Sequence, residues 1–161
     1  MSYYTVDYLY WLVDFFYFWK YAECVIRFCV VTHEGDPSMS TQEITVVYRW
    51  TAKPGKLDEL KTIYGQVREE MEANEPGTLR METYFADDAD QVIVHDVFAD
   101  GDALGFHLGV TAARHFPQLA EIAVPGPFLF CGDVPAELRQ AAEGMNMGAV
   151  FGTHAFGFTR S

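Results

Sequence analysis

The sequence predicts an α+β domain with the ferredoxin-like element order β-α-β-β-α-β. Three observations support this fold class: short β-branched and aromatic runs recur, two helical patterns separate them, and turn residues mark the junctions. The 161 residues suffice for one domain with a core of its own. Half of them are hydrophobic and 21% are charged, which is typical of a globular protein.

The first strand is expected at residues 44–50, ITVVYRW, because β-branched and aromatic residues favour strands. Its alternation places Ile44, Val46, Tyr48 and Trp50 on one face. After the Pro54-Gly55 turn, apolar residues at 3- and 4-residue steps predict a helix. These are Leu57, Leu60, Tyr64, Val67 and Met71. The sequence NEPG at residues 74–77 ends that helix.

A second strand is expected at residues 78–85, a turn at 86–90 and a third strand at 91–98. Asp100 is an N-cap candidate for a second helix that starts near Asp102 and carries Phe106 and His107. A broken helical stretch follows at residues 115–123. The order of elements up to this point is β-α-β-β-α.

Residues 128–131 form the expected fourth strand, and a short further helix begins near Val134, with Pro135 in its first turn. A terminal strand is expected within residues 149–158. Strands of this pattern form an antiparallel sheet with both main helices on one side. The central strands are apolar on both faces, which predicts a second buried surface and hence a homodimer. Central strands buried within one chain would give the same pattern.

The composition changes near residue 39 and divides the chain into an extension at 1–38 and a domain at 39–161. The extension contains 12 of the 25 aromatic residues, ends in a linker-like HEGDPS, and precedes a Met39-Ser-Thr-Gln that resembles a new start. We expect an appendage outside the domain core. The alternative is an aromatic helix that covers a hydrophobic patch or lies on a membrane surface.

Charged residues interrupt every long apolar window of the extension, so no membrane span is expected. They are Asp14, Lys20, Glu23 and Arg27. A span needs about 20 mostly apolar residues, and a charge at its centre costs roughly 2.5–3.5 kcal/mol.

Charge and cysteine content exclude several classes of protein. With 11 basic and 23 acidic residues the formal net charge is −12, which would repel nucleic acid. Three cysteines without metal-ligand spacing favour a reducing compartment, and we expect a cytoplasmic protein. The sequence has no zinc spacing, no Walker loop and no dinucleotide fingerprint, so neither a metal nor another cofactor is predicted.

The stretch at residues 91–116 carries the candidate site, because a buried strand delivers Asp96 and the following helix delivers His107. A carboxylate and an imidazole in one cleft are the parts of an acid/base or ligand-orienting site. A purely structural interpretation is also open: His107 is then a hydrogen-bonded core histidine, and Asp96 is paired with Arg49 or Arg80.

In this setting the chain resembles the antibiotic biosynthesis monooxygenase family over about residues 43–132. The matching residues are Glu75-Pro-Gly77, Asp96, Phe98, Asp100, Ala103, His107 and His115-Phe116. Two features differ from the family pattern: Asp96 stands where Glu is usual, and extra residues separate His107 from His115.

The resemblance implies a small dimeric α/β-barrel enzyme that oxidises a phenol or quinol with molecular oxygen and needs no cofactor. In that interpretation His107 is the base or hydrogen-bond donor, and Asp96 orients it or the substrate. The side chains expected to bind the aromatic substrate are Tyr48, Trp50, Tyr84, Phe106 and His115.

Two alternatives remain from the sequence. One is a non-catalytic dimeric module that binds a small hydrophobic ligand. The other is a haem-binding or haem-degrading relative, in which His107 would ligate iron, although Tyr48 stands where that branch has Asn.

Overall fold

The computed structural model describes residues 43–157, and the expectations for residues 1–38 lie outside this range. One mixed sheet organises the described part of the chain. Its strands are β1 (Ile44–Ala52), β2 (Thr78–Ala86), β3 (Gln91–Phe98), β4 (Ala123–Pro125), β5 (Leu129–Cys131) and β6 (Val150–Gly152). Their order is β2-β3-β1-β5-β6, with β4 paired to the same edge of β1 as β5.

The helices are α1 (Leu57–Asn74), α2 (Gly101–His107), α3 (Ala113–Ile122) and α4 (Ala136–Gly144). A π-helical turn, Leu108–Ala112, joins α2 to α3 without a break. A π-turn accommodates extra residues in a helix. The stretch that we expected to be broken, residues 115–123, is instead helical as far as Ile122, and α3 continues through Pro117.

The predicted fold class is confirmed: the arrangement is ferredoxin-like α+β, with an additional C-terminal helix and strand. Three details differ from the expectation. The sheet is mixed because β5 and β6 run parallel. Strand β4 was not predicted, since three residues are too short to show a period. Pro135 is the N-cap residue of α4 and does not lie in its first turn.

Alternation along β1 and β3 decides which side chains face the helices. The β1 residues predicted on one face are all buried, and Val46 and Tyr48 pair across the ladder with Asp96 and Val94. Pairs directly opposite in a ladder point to the same side of the sheet. Asp96 therefore projects into the apolar layer between the sheet and the helices.

The turn at Asp100 starts α2 next to the loop that follows α1. The Asp100 carboxylate accepts a hydrogen bond from the Ala103 amide at 2.9 Å, which confirms the predicted N-cap. Gly77 lies directly against this helix, because a Cβ placed on it would come within 2.6 Å of the Ala103 Cβ. The loop at Glu75 and helix α2 can pack this closely only with glycine at residue 77.

Among residues 43–157, no helix has the length and the apolar character needed to cross a bilayer.

Replacement of Gly77 by alanine is expected to destabilise the fold, because the added methyl group overlaps Ala103. Overpacking of this kind costs roughly 1–3 kcal/mol, to be measured as the free energy of unfolding in urea. Gly65→Ala is the matched control: Gly65 is exposed within α1, and a Cβ placed on it would meet no atom within 4 Å. It should stabilise by roughly 0.5–1 kcal/mol. Equal effects of the two substitutions would contradict the close contact.

Candidate functional site

A cavity of about 60 Å³ lies between the helix-facing side of the sheet and the helices. Its wall is mostly apolar and is formed by β1, β3, α1, the continuous helix from α2 to α3, β5 and the segment after α4. The described lining residues include Val46, Tyr48, Trp50, Tyr64, Asp96, Phe98, Leu104, His107, Thr111, His115, Phe116, Phe128, Met145 and Met147.

The cavity brings together five of the seven residues predicted for the site. They are Asp96, His107, Tyr48, Trp50 and His115. Register and helix direction produce this convergence: the three strand residues point toward the helices, and both histidines lie on the sheet-facing side of their helix.

The structure does not bring Tyr84 and Phe106 into the cavity, contrary to the prediction. Tyr84 pairs with Ile93 on the outer face of the sheet and is 53% exposed. Phe106 precedes His107 by one residue, so that it points away from the sheet and is 42% exposed beside a separate surface groove. A one-residue offset reverses the direction of a strand side chain and rotates a helix side chain by about 100°.

Asp96 is fully buried, and its two carboxylate oxygens differ in their surroundings. Oδ2 accepts a hydrogen bond from the Tyr48 hydroxyl at 3.2 Å. Oδ1 is buried and accepts no hydrogen bond from any residue in the 43–157 range. The partner of Asp96 is thus a tyrosine, and neither Arg49 nor Arg80 pairs with it.

Burial raises the pKa of Asp96 to about 6, although His107 and the Tyr48 hydrogen bond act in the opposite direction. A carboxylate in an apolar layer loses its hydration, which disfavours the charged form. At neutral pH most of the molecules nevertheless carry an ionised Asp96, and its free Oδ1 can accept a proton.

His107 is held by the carboxylate of Glu75. Its Nδ1 lies 3.2 Å from both Glu75 oxygens. Since both oxygens are acceptors, we place a proton on Nδ1, which leaves Nε2 as the nitrogen available to a ligand. The imidazole also packs against Phe98, with 5.2 Å between ring centroids. These contacts fix the orientation of the ring at the cavity wall.

Glu75 is a site residue that sequence reasoning missed as such. Burial alone raises its pKa, but hydrogen bonds from His107, Thr111 and Thr78 outweigh burial and hold the pKa below its usual value. Glu75 lies in a turn, where no periodicity marks a side chain as buried. The one signal in the sequence was its place in the Glu75-Pro-Gly77 element of the family pattern.

Thr111 is the second missed residue, and its hydroxyl donates to Glu75 from within the π-helical turn. The four-residue spacing from His107 to Thr111 was a usable signal, because residues four apart share one face of a helix. Both residues therefore reach the same carboxylate.

His115 also lines the cavity. Its Nε2 lies 2.9 Å from a Glu70 oxygen, and the other oxygen of Glu70 accepts from Arg114. The Nδ1 atom of His115 is buried and has no hydrogen-bond partner among the described residues.

The floor of the cavity is a layer of aromatic rings. Tyr48 stacks on Phe128 with 4.5 Å between centroids and 10° between planes. Burial raises the pKa of Tyr48 and of Tyr64 well above the usual value, so both remain neutral phenols near Asp96. Trp50 contacts Phe116 and Phe128 edge to face.

Within the part of the chain that the structure covers, no three His, Cys, Asp or Glu side chains are placed to hold a metal ion.

Asp96→Asn is expected to stabilise the protein at neutral pH. The pKa of Asp96 rises from 3.8 to about 6 on folding, so the ionised form costs about 3 kcal/mol at pH 7. Below about pH 3 the carboxyl is protonated in both states and this cost disappears. Unfolding in urea at several pH values should show a gain for the variant that grows between about pH 4 and pH 6. A gain that is constant with pH would contradict the raised pKa.

Comparison with known structures shows what this arrangement resembles. MupZ from Pseudomonas fluorescens superimposes with a TM-score of 0.61 at 20% identity, covering 73% of this chain and 94% of MupZ. Rv0793 from Mycobacterium tuberculosis gives 0.51 at 14% identity, covering 58% of this chain and 96% of the other. At such identities the likeness concerns the fold.

A variant of SnoaB, a cofactor-independent oxygenase from Streptomyces nogalater, gives a TM-score of 0.48 at 22% identity, with 55% of this chain and 89% of that chain covered. Among curated proteins, none matches this sequence. The family model described as antibiotic biosynthesis monooxygenase matches residues 43–118, the range that contains Asp96, His107 and Glu75. Residues 43–118 of this chain therefore form a domain of the antibiotic biosynthesis monooxygenase family.

Proposed function

We propose that this chain is a cofactor-independent monooxygenase that oxidises a phenol or quinol with molecular oxygen to a quinone. Membership of the family supports a monooxygenase-type function. The observation that carries the finer proposal is Asp96, which lines an apolar cavity and whose buried Oδ1 has no hydrogen-bond partner among residues 43–157.

The first step is transfer of the phenol proton to Asp96. A phenol such as tyrosine has a pKa near 10 and Asp96 one of about 6, so the transfer is uphill by about 5 kcal/mol. Asp96 alone is therefore not sufficient, and a hydrogen-bond donor must stabilise the phenolate. His107 fits this role in its doubly protonated form, in which Nδ1–H donates to Glu75 and Nε2–H donates to the substrate oxygen.

The phenolate then gives one electron to dioxygen. The resulting phenoxyl radical and superoxide combine, which forms a carbon–oxygen bond and a peroxide. Loss of the remaining proton from that carbon breaks the O–O bond, and the hydroxide that leaves becomes water on protonation. One oxygen atom enters the quinone and the other enters water. The apolar walls favour this course because they keep water away from the radical pair.

We further propose that the chain forms a homodimer through the outer face of the sheet. This face presents apolar side chains that the described chain leaves exposed by 42–56%. They are Tyr84, Val124, Leu129 and Val150. Exposed apolar surface of this kind is a common site of association.

Oxygen consumption with a panel of quinols and anthrones tests the reaction. Asp96→Asn and His107→Ala are each expected to lower kcat/KM by roughly 100-fold or more, the usual contribution of an acid/base group. The rate of the unmodified protein should rise with pH through about 6, as Asp96 ionises. Tyr84→Phe is the control, since Tyr84 lies outside the cavity, and its rate should be unchanged.

Two outcomes would contradict this function. One is full turnover by the Asp96→Asn variant. The other is tight binding of the aromatic compounds with no oxygen uptake on any substrate, which would favour the non-catalytic ligand-binding module.

Sedimentation velocity tests the dimer. The full chain should sediment with twice its monomer mass, and Leu129→Asp should give monomers because it places a charge in the apolar interface. Phe106→Asp is the matched control, because Phe106 is equally exposed but lies on α2, away from the outer face. A monomeric unmodified chain, or equal dissociation by both substitutions, would exclude this interface.

A further inference from the structure

The cavity is too small for the proposed substrate in the conformation described. Its volume is about 60 Å³. A cavity that holds one water molecule needs about 10–15 Å³, and a cavity that binds benzene has about 150 Å³. If the substrate is an aromatic compound, as proposed above, one wall has to move before it can reach Asp96.

Most of the wall is held in place. Asp96 and Phe98 are fully buried in the central strand β3, which pairs with β1 and β2 along its whole length. His107 and Thr111 are tied to Glu75 by hydrogen bonds. Movement of any of these parts would break ladder bonds or separate a buried carboxylate from its donors.

The segment after α4 differs from the other walls. Met145 and Met147 line the cavity, are only partly buried, and alternate with exposed residues. Asn146 and Gly148 have left-handed backbone conformations, with φ of 54° and 66°. The segment is thus a tight surface turn, and methionine side chains are unbranched and adapt easily to different shapes.

We propose that Met145 and Met147 form a gate that admits the aromatic substrate and limits its size. With the two thioether side chains turned inward the cavity has the volume seen here. Outward rotation widens the cavity toward the solvent beside Leu108 and Ala112, the partly exposed lining residues of the π-helical turn. The gate rests on the proposed aromatic substrate, but it does not require that the substrate be oxidised.

Anaerobic stopped-flow binding of 1-naphthol to the full-length protein tests the gate without turnover. The open form of such an equilibrium is typically about 0.1–10% populated, so Met145→Ala/Met147→Ala should raise the association rate by about tenfold or more. The double variant should also bind a three-ring phenol, 9-phenanthrol, better than the unmodified protein does. Met81→Ala is the matched control: Met81 is a partly buried methionine that packs on the same core and does not line the cavity.

A second variant guards against loss of the fold. Met145→Leu/Met147→Leu keeps the side-chain volume and adds branching, so it should fold normally and slow the entry of 1-naphthol. Unchanged association in both double variants, or equal acceleration by Met81→Ala, would overturn the gate. So would the absence of 1-naphthol binding in every variant.

Failure of the gate is separable from failure of the oxygenase. Faster binding in the alanine variant without oxygen uptake would support the gate and contradict the catalytic proposal. Oxygen uptake with unchanged binding rates would support the catalytic proposal and contradict the gate.

Discussion

The hydrogen bonds around the Glu75 carboxylate are the constraint on which the site depends. Glu75 follows α1 directly and accepts from Thr78 at the start of β2 and from His107 and Thr111 in the long helical run. One buried anion thus joins three elements. A buried carboxylate with several donors is held rigidly. Any displacement would break hydrogen bonds that offset the cost of removing the charge from water. The orientation of His107 follows from this rigidity.

Asp96 is the opposite case, because few hydrogen bonds replace the hydration that its carboxylate loses on burial. It has one hydrogen bond, from Tyr48, and an oxygen without a partner among the described residues. The raised pKa is the thermodynamic sign of this deficit. Groups that lower stability in this way are concentrated at functional sites. In the proposed mechanism this contrast assigns a positioning role to Glu75, whose hydrogen bonds are satisfied, and a chemical role to Asp96.

Much of the fold was predictable from local patterns, for reasons that particular elements illustrate. The period of two in β1 and the 3–4 steps of α1 located both elements, and Asp100 was correctly read as a cap. Strand β4 was missed because its three residues are extended only through pairing with β1, and no local pattern marks that pairing. The π-helical turn was missed because no residue pattern distinguishes it from an ordinary helical turn, and only the structure shows that Thr111 donates to Glu75 from within it.

The sequence by itself determined the order of the elements, the buried face of β1, and the presence of an acid, Asp96, and an imidazole, His107, on consecutive elements. These features depend on residue type and on spacing over a few positions. Only the tertiary structure decided that Glu75 holds His107 across 32 residues, that Tyr84 and Phe106 face away from the cavity, and that Asp96 has Tyr48 as its partner. Those facts depend on strand register and helix rotation, in which a shift of one residue changes every contact.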